Sequence, residues 1–224
     1  MGISENLKYF LSKEIPPHVK LIAVSKTKPY EAIIEAYNAG HKIFGENKVQ
    51  ELVDKFNILP KDIEWHMIGH LQSNKVKFIA PFVHLIHGVD SFKLLQVIDK
   101  EGIKNNRIIN CLIQFHIAKE ETKFGFDLSE SFQMIQSPIF NELKNINIVG
   151  VMGMATFTEN TDTIRAEFKE LVYIFNQLKN TFFLSKSDFK EISMGMSSDY
   201  KIAIEEGATI VRIGSSIFGF RNTN

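Results

Sequence analysis

Eight short apolar runs, separated by stretches with helical periodicity, constrain this chain more than any other feature. The runs cover 20–25, 42–45, 64–69, 83–87, 107–116, 147–155, 189–195 and 209–213. Between them, helices are expected to begin near Pro29, Lys48, Ser73, Ser91, Leu128, Thr161 and Ser198. A leading helix at 4–13 precedes the first run and a short stretch at 215–219 follows the last. Strands that alternate with helices make βαβ units and therefore a parallel sheet. Eight such units in 224 residues fit a closed (β/α)₈ TIM barrel with an added N-terminal helix, one domain spanning 1–224. An open doubly wound sheet is the alternative, but no Gly-x-Gly-x-x-Gly turn follows the first run.

The boundaries carry their own chemistry. Pro29 suits a first helical position, where a missing N–H costs nothing. Gly40 and Gly207 fall where left-handed helix caps are expected, just before the next strand. Thr161 or Asp162 can cap a long helix running through Phe168, Leu171, Val172, Phe175 and Leu178 at helical spacing.

Composition narrows the partners. Lysine plus arginine equals aspartate plus glutamate, 26 each, so no long-range field favours nucleic acid or an anionic membrane. No apolar run approaches the length of a membrane span. The first ten residues mix Glu5, Asn6 and Lys8 with apolar groups, unlike a signal peptide. The one cysteine, Cys111, rules out an internal disulfide framework and fits a reducing, cytoplasmic setting. It lies inside an apolar run, so it reads as a core thiol.

Leu21-Ile22-Ala23-Val24-Ser25-Lys26-Thr27-Lys28-Pro29 delivers a lysine at the end of an apolar strand. An ammonium that loses water there is biased toward the neutral amine, the form that attacks carbonyls. Lys26 is therefore the candidate for a Schiff base, and a lysine snorkelling from a strand end is the plainer alternative. In a barrel the site lies at the C-terminal strand ends, with phosphate in the loops after the seventh and eighth strands. Those loops read Gly195-Met196-Ser197-Ser198-Asp199 and Gly214-Ser215-Ser216. Both supply glycine, hydroxyls and the start of a helix, a combination that suits an anion.

Arg212, among apolar residues of the last strand, needs a partner or a ligand acceptor. Asn47 and His66 stand at the ends of the second and third strands, where they can meet a ligand ring or serve as a helix cap and a core-edge histidine. The seven histidines do not fall at metal-ligand spacings, so no metal site is expected, and His84 and His87 read as structural. The charged loop 119–126 suits a solvated turn or a flap that brings Lys123 near a bound anion. No Gly-x-Ser-x-Gly elbow is present.

These motifs resemble the pyridoxal phosphate homeostasis family, whose fold matches the barrel domain of alanine racemase, a fold-type III pyridoxal-phosphate protein. The resemblance rests on Ala23-Val24-Ser25-Lys26-Thr27-Lys28-Pro29, Phe44-Gly45-Glu46-Asn47, Trp65-His66-Met67-Ile68-Gly69, Leu71-Gln72-Ser73-Asn74-Lys75, Ser193-Met194-Gly195-Met196-Ser197 and Val211-Arg212-Ile213-Gly214-Ser215-Ser216-Ile217-Phe218-Gly219. It implies that Lys26 holds pyridoxal 5′-phosphate as a Schiff base, that Ser197, Gly214 and Ser215 hold the phosphate, and that Arg212 faces the pyridine nitrogen. Where the family often has proline, this chain has His70; where it often has threonine, Ser215 keeps the hydroxyl.

The function implied is vitamin B6 homeostasis without efficient catalysis. Alanine racemase owes its second proton donor to a further domain, and none is expected beyond the last strand here. The alternatives are a pyridoxal-phosphate-dependent amino-acid racemase and a Schiff-base or sugar-phosphate barrel enzyme that uses Lys26 without pyridoxal. The expected partners are pyridoxal phosphate and, as recipients, pyridoxal-phosphate-dependent apoenzymes. The expected state is a monomer or weak dimer, with Lys28 or Lys123 as a possible second site.

Overall fold

The computed structural model describes residues 2–118 and 124–219. Its eight strands are β1 (Lys20–Val24), β2 (Ile43–Glu46), β3 (Glu64–Met67), β4 (Leu85–Val89), β5 (Ile109–Gln114), β6 (Ile146–Met152), β7 (Glu191–Met196) and β8 (Ile210–Ile213). They pair in parallel, each with the next, and β1 closes on β8 with Ile22 opposite Arg212. The expected TIM barrel is the fold.

The described helices are α1 (Ile3–Tyr9), α2 (Tyr30–Asn38), α3 (Val49–Ile58), α4 (Val76–Ile79), α5 (Phe92–Lys104), α6 (Leu128–Gln136), α7 (Pro138–Glu142), α8 (Thr161–Phe182), α9 (Tyr200–Glu205) and α10 (Ser215–Phe218). Gly40 and Gly207 adopt the expected left-handed conformation, with φ of +96° and +100°. Other details differ from the sequence reading. Pro29 is the N-cap of α2, and α8 is capped by Asn160, whose side chain accepts from the N–H groups of Asp162 and Thr163. The leading helix ends in a π-helical turn (Phe10–Glu14), and the helix expected near Ser73 is a 3₁₀ turn running into the single turn of α4. The separate α7 was not foreseen. None of the described helices is long and apolar enough to cross a membrane.

Strand alternation sorts the core into two layers. Ile22, Val24, Ile68, Leu85, Leu112, Val149, Met152 and Ile210 fill the barrel interior. Leu21, Ala23, Phe44, Trp65 and Ile213 point the other way, into the larger core beneath the helices. This period of two positions the site. Lys26 lies two residues beyond Val24 and Arg212 two beyond Ile210, so each continues an inward-facing row.

Candidate functional site

At the C-terminal mouth of the barrel a cavity of about 740 Å³ is lined by Lys26, Asn47, Ser197, Arg212, Gly214 and Ser215. The fold thus gathers six of the seven predicted site residues from the ends of four strands. Val24, Ile68, Met154 and Phe157 supply its apolar walls, and Lys28 reaches its edge. The Lys28 ammonium donates to the carbonyls of Phe218 and Gly219 at 3.0 and 2.9 Å, tying the loop after β1 to the end of α10.

His66, the seventh, lies elsewhere. The inward-facing residues around β3 are Glu64, His66 and Ile68, and Ile68 is the one that reaches the cavity. The His66 ring sits one step lower, fully buried, with Nδ1 2.9 Å from His87 Nε2. Lys123 falls in 119–123, outside the described residues. His70 stands where its Nδ1 lies 2.8 Å from Asp90 Oδ2.

The two loops expected to hold phosphate touch one another. The Gly214 N–H donates to Ser197 Oγ at 3.3 Å. Gly195 has φ of +90°, and an added Cβ would meet Ala203 Cβ at 2.6 Å, so a side chain there would push the Ser197 loop off its place. The helices after these loops have only six and four residues. Contrary to the expectation that helix N-termini help hold an anion, these helices are too short for an aligned dipole to matter, and hydroxyls with loop N–H groups remain for that role.

Arg212 is 4 % exposed. Its Nη1 donates to Ser193 Oγ at 2.6 Å and its Nη2 to the Gly153 carbonyl at 3.2 Å. Burial lowers its pKa to about 10, with Asp199 opposing, so the guanidinium stays charged at neutral pH. Two of its five donors are committed to the barrel wall, which fixes the plane of the group.

The backbone that carries Lys26 is clamped from outside the barrel. Ser25 Oγ donates to Glu46 Oε1 at 2.5 Å. The Lys55 ammonium, buried on α3, donates to the Ser25 carbonyl, Glu46 Oε1 and Glu51 Oε1, each at 2.7 Å. Glu51 Oε1 also accepts the Thr27 N–H, and Ser25 O accepts the Lys28 N–H at 3.0 Å. Thr27 sits in the left-handed region with φ of +64°, rare for a β-branched residue and worth roughly 1–3 kcal/mol of strain. Neighbours must over-determine such a residue, and here they do. Burial pushes the Glu46 carboxyl up to about 7 while Lys55 and Ser25 pull it down, and its Oε2 has no hydrogen-bond partner among the described residues. Sequence reasoning missed this network. In sequence Glu51 and Lys55 are only i,i+4 neighbours on a helix, a spacing common on solvated faces, and nothing there marks Lys55 as buried.

The fold and site define the class. The profile described as alanine racemase, N-terminal domain, matches residues 2–222. The chain is 41% identical over 203 residues to the pyridoxal phosphate homeostasis protein of Aquifex aeolicus, covering 90% of this chain and 87% of that one. It is 36% identical over 213 residues to the human protein of the same name, covering 91% and 77%. The structure of PipY from Synechococcus elongatus with PLP bound superposes with a TM-score of 0.86 at 35% identity, covering 97% of this chain and all of that one. The alanine racemase of E. faecalis, 13% identical with a TM-score of 0.73 over 99% of this chain and 58% of that one, shares the fold. The chain belongs to the pyridoxal phosphate homeostasis protein family.

Proposed function

We propose that this cavity binds pyridoxal 5′-phosphate as a Schiff base on Lys26, and that the protein takes part in vitamin B6 homeostasis without efficient catalysis. The observation that carries the reading is the convergence of Lys26, Ser197, Ser215 and Arg212 on one cavity. Lys26 would hold an aldehyde ligand through its amine, with the aldehyde oxygen released as water. Ser197, Ser215 and the neighbouring loop N–H groups suit a phosphate, which accepts hydrogen bonds on every oxygen. Arg212, oriented by Ser193 and Gly153 and charged at neutral pH, would donate to a ring nitrogen and disfavour its protonation. Ile68, Met154 and Phe157 offer apolar surface on which a ring would pack.

When bound, pyridoxal phosphate supplies a reactive aldehyde and an electron-withdrawing ring. A charged arginine against the ring nitrogen weakens that ring as an electron sink. The arginine alone is not decisive; with no tyrosine, histidine or carboxylate among the described residues lining the cavity, the site suits reversible exchange at the lysine better than two-base racemisation.

The test is borohydride reduction of the purified protein followed by peptide mass spectrometry. A pyridoxyl-phosphate adduct on Lys26 is expected. An adduct on Lys28, or a phosphate-containing ligand of different mass, would overturn the assignment.

A further inference from the structure

At the opposite, N-terminal mouth of the barrel lies a second recess of about 290 Å³, away from the Lys26 cavity. Glu64, His66 and His84 meet there, with one ligand atom from each lying within 4.8 Å of the other two. His84 Nε2 is 3.5 Å from Glu64 Oε2, and the rings of His66 and His84 stack with centroids 5.3 Å apart and planes 12° from parallel. His66 is 3 % exposed, and its Nε2 is buried with no hydrogen-bond partner among the described residues. A buried ring nitrogen without a partner needs an explanation, and an ion is one of the accepted ones.

We propose that Glu64, His66 and His84 form a binding site for a divalent transition-metal ion of the zinc type. Two imidazoles and one carboxylate, with water completing the shell, are an established zinc donor set. Bonds of about 2.0–2.1 Å in a tetrahedral shell place ligand atoms about 3.3 Å apart. The His84–Glu64 separation is already close to that value. Both of these side chains are half-exposed and can move, His84 by turning out of its stack on His66 so that its ring plane meets the ion, whereas His66 is fixed by packing.

The surroundings orient the buried ligand. Coordination through Nε2 requires the His66 proton on Nδ1, and His87 Nε2, 2.9 Å away, is its acceptor. His87 then places its own proton on Nδ1, 2.9 Å from Ser193 Oγ. The nearby Lys20 is paired with Glu191 at 2.6 Å, which offsets its repulsion of a cation. The line His66–His87–Ser193 ends on the hydroxyl that holds Arg212, so an ion at the lower mouth would set proton positions up to the edge of the upper cavity.

Zn²⁺ titrated calorimetrically into chelator-treated full-length protein tests the site. One ion per chain is expected, with a rise in melting temperature. Co²⁺ in its place should give the visible absorption of a four- or five-coordinate shell. His84→Ala and Glu64→Gln, at half-exposed positions that leave the core intact, should each weaken Zn²⁺ binding at least about tenfold, the lower bound seen when even outer partners of a metal site are lost. His70→Ala, on the other rim beside Asp90, should leave it unchanged. No one-to-one binding by the parent, or binding unaltered by both His84→Ala and Glu64→Gln, would overturn the proposal.

Discussion

The buried ammonium of Lys55 donates to the Ser25 carbonyl at 2.7 Å and thereby sets the turn from which Lys26 enters the cavity. The same ammonium donates to Glu46 and Glu51, so three backbone or side-chain anchors hang on one lysine. Removing one partner of a buried pair strands the other charge, at about 3–5 kcal/mol. Lys55→Met should therefore lower the unfolding free energy by that amount in urea titrations. The double variant Lys55→Met with Glu46→Gln should recover part of it. A double variant no more stable than the single one would mean that the cost lies in packing rather than in the stranded carboxylate.

Glu46 also sets a pH dependence. Its folded-state pKa, about 7, lies above the unfolded value of about 4.3. The folded protein therefore holds this proton more tightly than the unfolded chain. The associated stability is complete below about pH 4.3 and is lost as pH rises through about 7. The stability of the parent relative to Glu46→Gln should fall over that window. A difference that stays flat across it would show that Lys55 keeps Glu46 ionised throughout.

The contact between Ser197 Oγ and the Gly214 N–H makes the two serines unequal. Loss of a hydrogen bond to a charged group costs about 1.5–3 kcal/mol, or roughly 10- to 150-fold in affinity. Ser197→Ala and Ser215→Ala should each weaken pyridoxal phosphate binding within that range. Ser197→Ala should have the larger effect, because it also releases the Gly214 N–H. Equilibrium dialysis with the phosphorylated and dephosphorylated vitamer checks this. Variants that lose equal affinity for both vitamers would place the phosphate away from these serines.

Catalysis at a substrate carbon should be poor. Arg212 is held at its post by Ser193 and Gly153 and carries its charge into the cavity. Transfer of amino-acid α-protons to heavy water, followed by NMR, should be far slower than ordinary turnover of about 1–10³ per second. Exchange at that rate would make the protein a racemase-type enzyme instead.

The barrel was legible because periodicity survives in sequence. Runs such as Leu21-Ile22-Ala23-Val24 report burial on both faces of a strand, and eight of them leave little choice of fold. The same period of two put Lys26 and Arg212 in the interior, and strand order put the Ser197 and Ser215 loops side by side. His66 obeyed that period too, but depth along the barrel axis depends on strand stagger, which sequence does not encode locally. It lies below the cavity for that reason.

What the sequence determined by itself was therefore fold, inward face and the loops at the upper mouth, all consequences of local pattern and chain order. Only the tertiary structure decided which polar groups meet across elements. Lys55 reaches Ser25 because α3 packs against β2 and β3, beside the end of β1. His84 reaches Glu64 and His66 because β3 and β4 pair side by side, which no ligand spacing along the chain reveals. Contacts of this kind depend on register and depth, and these are set by the closure of the whole barrel rather than by any one segment.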